Sequence, residues 1–89
     1  MKVRELLSDE SKWTQFKLAR NASGIPVDPK SPKASSFCLS EAIWRCYPDY
    51  DLRKNILHKI ITKIDCSVVG WNDTHTFAEV KALVDELDI

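Results

Sequence analysis

Two stretches of helical periodicity, one on each side of Pro48, constrain this chain more than any other feature. In the first stretch, residues 32–47, apolar side chains would cover most of the circumference of a helix. Ser31 followed by Pro32 is a good helix start. The second repeats an apolar residue every four positions, at Leu52, Ile56, Ile60 and Ile64. Because proline cannot continue a helix, the pattern predicts a buried central helix over residues 32–47 and another helix over residues 50–64.

Shorter elements surround these two helices. Val3, Leu6 and Leu7 share one helix face and predict a short first helix. Residues 14–27 predict a two-stranded hairpin that turns at Gly24. Thr76 and Glu79 form a capping-box pattern ahead of the last apolar stripe. We therefore predict one α+β domain over residues 1–89, mainly helical, with about four helices and a two-stranded β-hairpin.

Composition and charge narrow the classes of partner. Thirteen basic side chains balance thirteen acidic ones, whereas proteins that bind nucleic acid non-specifically carry a basic excess. The chain has three cysteines in no paired motif, its first residues are charged, and its apolar runs are short. These features predict a cytoplasmic protein that has no cofactor, does not bind a membrane and is unlikely to bind nucleic acid.

The segment from Val69 to Thr76 is the clearest candidate for a functional site. It sets one large aromatic ring beside polar side chains, immediately before the last helix. Irregular polar segments often carry binding residues, and the turn of the hairpin is a second such segment. The predicted binding residues are Trp71, Asn72, Asp73 and His75 from the first segment, and Arg20 and Asn21 from the second. The structural alternative is a corner in which Trp71 is an anchor and its neighbours form a turn.

A cysteine-dependent enzyme or ligand binder is the alternative class of function. It would use Cys38 as the nucleophile with His75 and Asp73, since such enzymes need a thiolate, a base and an orienting group in contact. Cys38 lies between Phe37 and Leu39 in the predicted central helix, which favours packing over catalysis. No histidine or cysteine pair has the close spacing of a zinc site, so no metal is expected.

Several motifs in order resemble those of a family of small bacterial and bacteriophage proteins, the domain of unknown function numbered 6197. They are Trp13, Ala19-Arg20-Asn21-Ala22-Ser23-Gly24, Phe37-Cys38-Leu39-Ser40-Glu41-Ala42 and Trp71-Asn72-Asp73. The family pattern has aspartate where this chain has Asn21 and glycine where it has Glu41. The resemblance implies a fold and a bacteriophage or mobile-element setting, but no reaction.

Taken together, the sequence favours a non-catalytic, phage-type accessory protein that binds a host or phage protein. A third class, a nucleic-acid mimic or binder, remains as an alternative. A mimic would present an exposed acidic surface formed by Asp85, Glu86 and Asp88 with Asp49 and Asp51. A binder would present a basic face built from Arg53, Lys54, Lys59 and Lys63.

Overall fold

Five helices and one small antiparallel sheet make up the fold, as a computed structural model describes it for all residues 1–89. This confirms the predicted α+β, mainly helical class. In chain order the elements are α1 (Val3–Leu6), a 3-10 turn (Glu10–Lys12), β1 (Ala19–Arg20), β2 (Ser36–Phe37), α2 (Leu39–Cys46), α3 (Tyr50–Ile64), α4 (Val68–Thr74) and α5 (Phe77–Leu87).

The core forms around α2, which contacts α1, α3 and α4. Leu39, Ala42 and Ile43 of this helix are fully buried. They join one cluster of buried apolar side chains that also includes Ile60 of α3 and Val84 of α5. The prediction of a central, most buried helix is therefore confirmed.

That central helix begins later than predicted. Ser31 and Pro32 start only a turn, in which the amide of Ala34 donates to the Ser31 carbonyl, because the next amide, that of Ser35, donates to the Arg20 carbonyl and not back to Ser31. Residues 36 and 37 instead form β2, and the helix starts at Leu39 with Cys38 as its N-cap. Strand pairing takes the backbone groups that a longer helix would have needed, so the local start signal at Ser31 was overridden.

The predicted hairpin over residues 14–27 was only partly right. Ala19 pairs with Phe37 and Arg20 with Ser36, so the second strand of the sheet comes from a later part of the chain. Residues 25–27 return beside β1 through an isolated bridge between Arg20 and Pro26. Proline lacks an amide hydrogen, which limits pairing there. The turn itself is as predicted, with Gly24 at a φ of +81°.

Residues 68–74, which include most of the segment expected to be irregular, form helix α4 instead. Ser67 is its N-cap, and the Ser67 hydroxyl accepts a hydrogen bond from the amide of Gly70 at 3.1 Å. Thr76 with Glu79 forms the capping box of α5 as predicted, and Asp49 is the N-cap of α3. The Trp71-Asn72-Asp73 sequence is therefore helical, which changes where its side chains point.

The first and last residues of the chain are in contact through hydrogen bonds and ion pairs. Ile89 is fully buried, and its carbonyl accepts hydrogen bonds from the amide of Val3 and from the hydroxyl of Tyr47. Beside it, Asp88 pairs with Lys2 at 2.7 Å and with Arg4 at 3.0 Å. These contacts hold α1 against the end of α5. No helix in the fold is both long enough and apolar enough to cross a membrane.

We expect the substitution Ile89→Ala to lower the free energy of unfolding by about 2–5 kcal/mol, because it removes buried methyl groups and leaves a cavity. Urea unfolding followed by circular dichroism measures this. Ile25→Ala is the matched control: Ile25 is largely exposed, so its truncation should change stability by no more than about 0.5 kcal/mol. Equal effects of the two changes would contradict the role assigned to Ile89.

Candidate functional site

Asn72 is the centre of the region that the sequence singled out. Its side chain is fully buried. Its Oδ1 accepts from the indole Nε1 of Trp13 at 2.6 Å and from the amide of Leu39 at 3.0 Å. Its Nδ2 donates to the Thr14 carbonyl and to Oδ1 of Asp73, both at 3.1 Å. The amide group thus uses its full hydrogen-bonding capacity inside the protein and has nothing left for a ligand.

The segment before β1 is held against α4 by further bonds. Nε2 of Gln15 donates to the backbone carbonyls of Asn72 and His75, at 3.1 and 2.8 Å. The Trp13 ring packs on Phe77 of α5, with ring centroids 5.9 Å apart. Residues 13–15 are therefore held by α4 through Gln15 and by α5 through Trp13, immediately before Phe16.

That next residue, Phe16, has an unusual backbone conformation. Its φ is +69°, in the left-handed region that large side chains rarely adopt. Oδ1 of Asp73 accepts the Phe16 amide hydrogen at 2.9 Å and so holds this conformation in place. The result is that the Phe16 ring is turned outward and is 69% exposed. A strained backbone that displays an aromatic ring to solvent is a reason to look for function there.

Phe16 lies in a small apolar depression with two other exposed side chains, Leu18 and Val69. We call these three residues the Phe16 patch. Cys38 also lines the depression, and the charged side chains of Lys17 and Asp73 lie beside it. Val69 and Asp73 are four residues apart and therefore share one face of α4. Asp73 is the one predicted site residue that belongs to this surface.

Cys38 is placed for structure. It is buried, and its Sγ accepts the amide hydrogen of Glu41 at 3.4 Å at the start of α2. Burial raises the pKa of the Cys38 thiol, which keeps it protonated and poorly nucleophilic at neutral pH. His75 lines a different depression, so the structure gives the proposed cysteine and histidine no shared pocket. This geometry lends the enzyme alternative no support.

Trp71 and His75 face away from the Phe16 patch. Their rings are stacked at 4.1 Å with an angle of 18° between the planes. Nδ1 of His75 lies 2.7 Å from the Trp71 carbonyl, a contact that closes the end of α4. The stacked pair lines a groove between α3 and α5, together with Glu79 and Glu86. Glu79 is used by the α5 capping box, and Glu86 pairs with Lys63 at 3.0 Å.

Arg20 and Asn21 form part of a third surface. The guanidinium of Arg20 donates to Oγ1 of Thr14, to the Gly24 carbonyl and to the Gln15 carbonyl. Oδ1 of Asn21 accepts the amides of Ser23 and Ile25, at 2.9 and 3.0 Å, and so shapes the turn. The six residues predicted as one site are thus spread over three faces of the protein, with the buried Asn72 between them.

Ion pairs neutralise the C-terminal part of the acidic surface proposed for a nucleic-acid mimic, and burial removes one of the four residues of the basic face proposed for a binder. The three acidic residues near the C-terminus all pair with basic side chains: Asp85 with Lys81, Glu86 with Lys63, and Asp88 with Lys2 and Arg4. Of the proposed basic face, Arg53 is 7% exposed and so does not lie on the outside as expected. No group of three or more His, Cys, Asp or Glu side chains is arranged to hold a metal ion.

Searches against protein-family models, curated proteins and solved structures found no match for this chain. The resemblance to the family of unknown function therefore stays a prediction, and the function has to be argued from the geometry.

The position of Phe16 at the surface was not visible in the sequence. Phenylalanine gives no local signal for a positive φ, which glycine or asparagine would have given. The pairing of Val69 with Asp73 at a spacing of four would have been visible, had Ser67 been recognised as the N-cap of a helix.

We expect Asn72→Ala to lower the free energy of unfolding by about 3–5 kcal/mol, because it leaves several buried polar groups without partners. Thermal and urea unfolding measure the loss. Asn55→Ala is the matched control, since Asn55 is an exposed helical asparagine and its replacement should be close to neutral. A loss of less than about 1 kcal/mol would show that the contact between α4, residues 13–15 and the start of α2 does not depend on the Asn72 amide.

We also expect iodoacetamide at neutral pH to label Cys66, which is exposed, and to leave Cys38 unmodified until the protein unfolds. Mass spectrometry of labelled peptides reads the order of modification. If Cys38 reacted faster than Cys66 in the folded protein, its thiol would be activated, and the enzyme alternative would gain the support that it now lacks.

Proposed function

We propose that this protein acts by binding another protein, and that the Phe16 patch is the contact surface. The observation that carries the proposal is the left-handed backbone of Phe16, which Asp73 holds so that the ring faces solvent. Such a conformation costs on the order of 1–3 kcal/mol. Burial of the ring within the protein would offset part of that cost through the hydrophobic effect. This ring stays exposed, so the offsetting stabilisation is gained only when a partner covers it.

The composition of the patch supports a protein partner. An aromatic ring and two aliphatic side chains form its centre, and Lys17 and Asp73 provide charges of opposite sign at its edge. Protein interfaces commonly have an apolar centre, enriched in aromatic residues, and a polar rim. The partner that fits best presents an apolar side chain, which would enter the depression next to Phe16.

Two of the original site residues keep a part in this proposal. Asp73 positions the backbone of Phe16, and Asn72 positions Asp73 through its own Nδ2. In this proposal the apolar residues of the Phe16 patch contact the partner, and the polar side chains of Asn72 and Asp73 orient them. A bacterial host protein or a phage protein as the partner, in the cytoplasm, is part of the proposal and is supported by the sequence resemblance alone.

The variant Phe16→Gly tests the proposal sharply, because it separates binding from stability. Glycine adopts a positive φ without strain, so the free energy of unfolding should stay unchanged or rise by up to about 1 kcal/mol. The same change removes the aromatic ring. We expect affinity capture from bacterial lysate, quantified by mass spectrometry, to lose the specific partner while the variant remains folded.

Ile25→Ser serves as the control for that experiment, because Ile25 is similarly exposed but lies outside the Phe16 patch. It should retain the partner. Asp73→Asn should weaken capture, since a neutral amide oxygen is a weaker acceptor for the Phe16 amide than a carboxylate. A partner retained by Phe16→Gly and lost by Ile25→Ser would rule out this surface.

A further inference from the structure

The outer face of α3 carries a second surface that the patch does not use. Trp44 in the last turn of α2 is 53% exposed, and Tyr50 at the start of α3 is 67% exposed. Along the helix from Tyr50 runs a shallow groove, lined also by Lys54, Leu57, His58 and Ile61, with Arg53 at its inner side. We call this the α3 groove.

Arg53 has an unusual environment for a buried cation. Its guanidinium lies 3.6 Å from the centre of the Trp44 ring and 5.8 Å from that of Tyr50. Its Nη1 donates to the carbonyls of Tyr47 and Pro48, at 3.1 and 2.9 Å. All of these partners are neutral, so the buried charge is stabilised by aromatic faces and carbonyl dipoles but is paired with no carboxylate.

The other basic residues of the groove also lack acidic partners. The four ion pairs of the protein involve Lys2, Arg4, Lys63 and Lys81, and none involves Arg53, Lys54 or His58. The nearest acidic residues on the helix, Asp49 and Asp51, do not line the groove, and Asp49 is used as the α3 N-cap. The groove therefore combines unpaired basic groups with the apolar side chains of Leu57 and Ile61.

We propose that the α3 groove binds an acidic, amphipathic segment of a partner protein, in which Asp or Glu residues alternate with large apolar ones. Charge complementarity selects the acidic residues: their carboxylates would meet the exposed side chains of Lys54 and His58, while the covered Arg53, which no carboxylate neutralises, adds to the positive potential of the groove. The apolar residues would pack on Leu57, Ile61 and the ring of Tyr50. Trp, Tyr and Arg are the side chains that most often dominate binding energy at protein interfaces, and all three meet here.

The dimensions agree with an extended peptide. Tyr50 and Ile61 are eleven positions apart in the helix, a distance of about 16 Å along its axis at a rise of about 1.5 Å per residue. An extended chain covers that length with about five residues. This inference rests on the proposed function in one respect, that the protein works by binding proteins, but it uses a different surface from the Phe16 patch.

The test uses the full chain labelled with nitrogen-15 and a short acetylated peptide that alternates Glu with Leu. We expect the peptide to shift the amide signals of residues 50–61 in nuclear magnetic resonance spectra. The matched peptide with Gln in place of Glu should bind more weakly. Lys54→Glu should reduce affinity roughly fivefold and Lys54→Glu combined with His58→Glu further, because each exposed charge contact contributes modestly.

Two controls keep the result interpretable. Phe16→Gly should bind the acidic peptide as the parent chain does, so that failure of the Phe16 patch and failure of the α3 groove can be told apart. Arg53→Lys keeps the charge but loses the stacking on Trp44. Its fold is checked by circular dichroism, and its affinity for the acidic peptide is then compared with that of the parent chain.

Three outcomes would overturn the proposal. Equal binding of the Glu and Gln peptides would show that the groove is only an apolar surface. Absence of shifts over residues 50–61 at millimolar peptide would exclude the acidic segment. A concentration-dependent dimer that Ile61→Asp dissolves, without peptide binding, would assign the groove to a second copy of this chain.

Discussion

The hydrogen bonds of one buried amide, that of Asn72, are the interaction on which the rest of this structure depends. Through it the indole of Trp13, the first amide of α2 and the carbonyl of Thr14 are all held by one side chain of α4. Residues 13–14, the start of α2 and α4 itself are three distant parts of the chain, and this amide connects them. A buried polar group without a partner costs more free energy than a formed hydrogen bond contributes. We therefore expect the hydrogen bonds around Asn72, which form the junction of these three segments, to be kept or lost together.

This junction explains why strain can persist at Phe16. Gln15 is tied to the end of α4 on one side of Phe16, and Cys38 donates its amide to the Leu18 carbonyl on the other. Between these two fixed points Phe16 adopts a positive φ, and Asp73 stabilises it there. A domain of this size has a modest margin of stability. A retained unfavourable conformation whose side chain stays in solvent therefore argues for use by a partner.

Much of the fold was readable from the sequence, and the errors have a common cause. The helix over residues 50–64, the stop at Pro48 and the capping box at Thr76 involve contacts within a few positions, and the structure has them. The start of α2, the second strand of the sheet and helix α4 were missed. Each depends on a partner far along the chain: β2 pairs with β1, and α4, whose one local signal is the N-cap at Ser67, is held by residues 13–15. The site prediction has the same limit, since it grouped six residues that the fold places on different faces.

The sequence by itself determined the class of the fold, helix α3, the stop at Pro48 and the capping box of α5, because apolar period, proline and capping side chains act locally. It also determined that Trp71, Asn72 and Asp73 would matter, though not how. Only the tertiary structure decided that Asn72 is buried, that Asp73 orients Phe16, and that Arg53 is covered while Trp44 is exposed. The physical reason is that burial and hydrogen-bond partners belong to pairs of distant residues, and no single stretch of chain specifies both members of a pair.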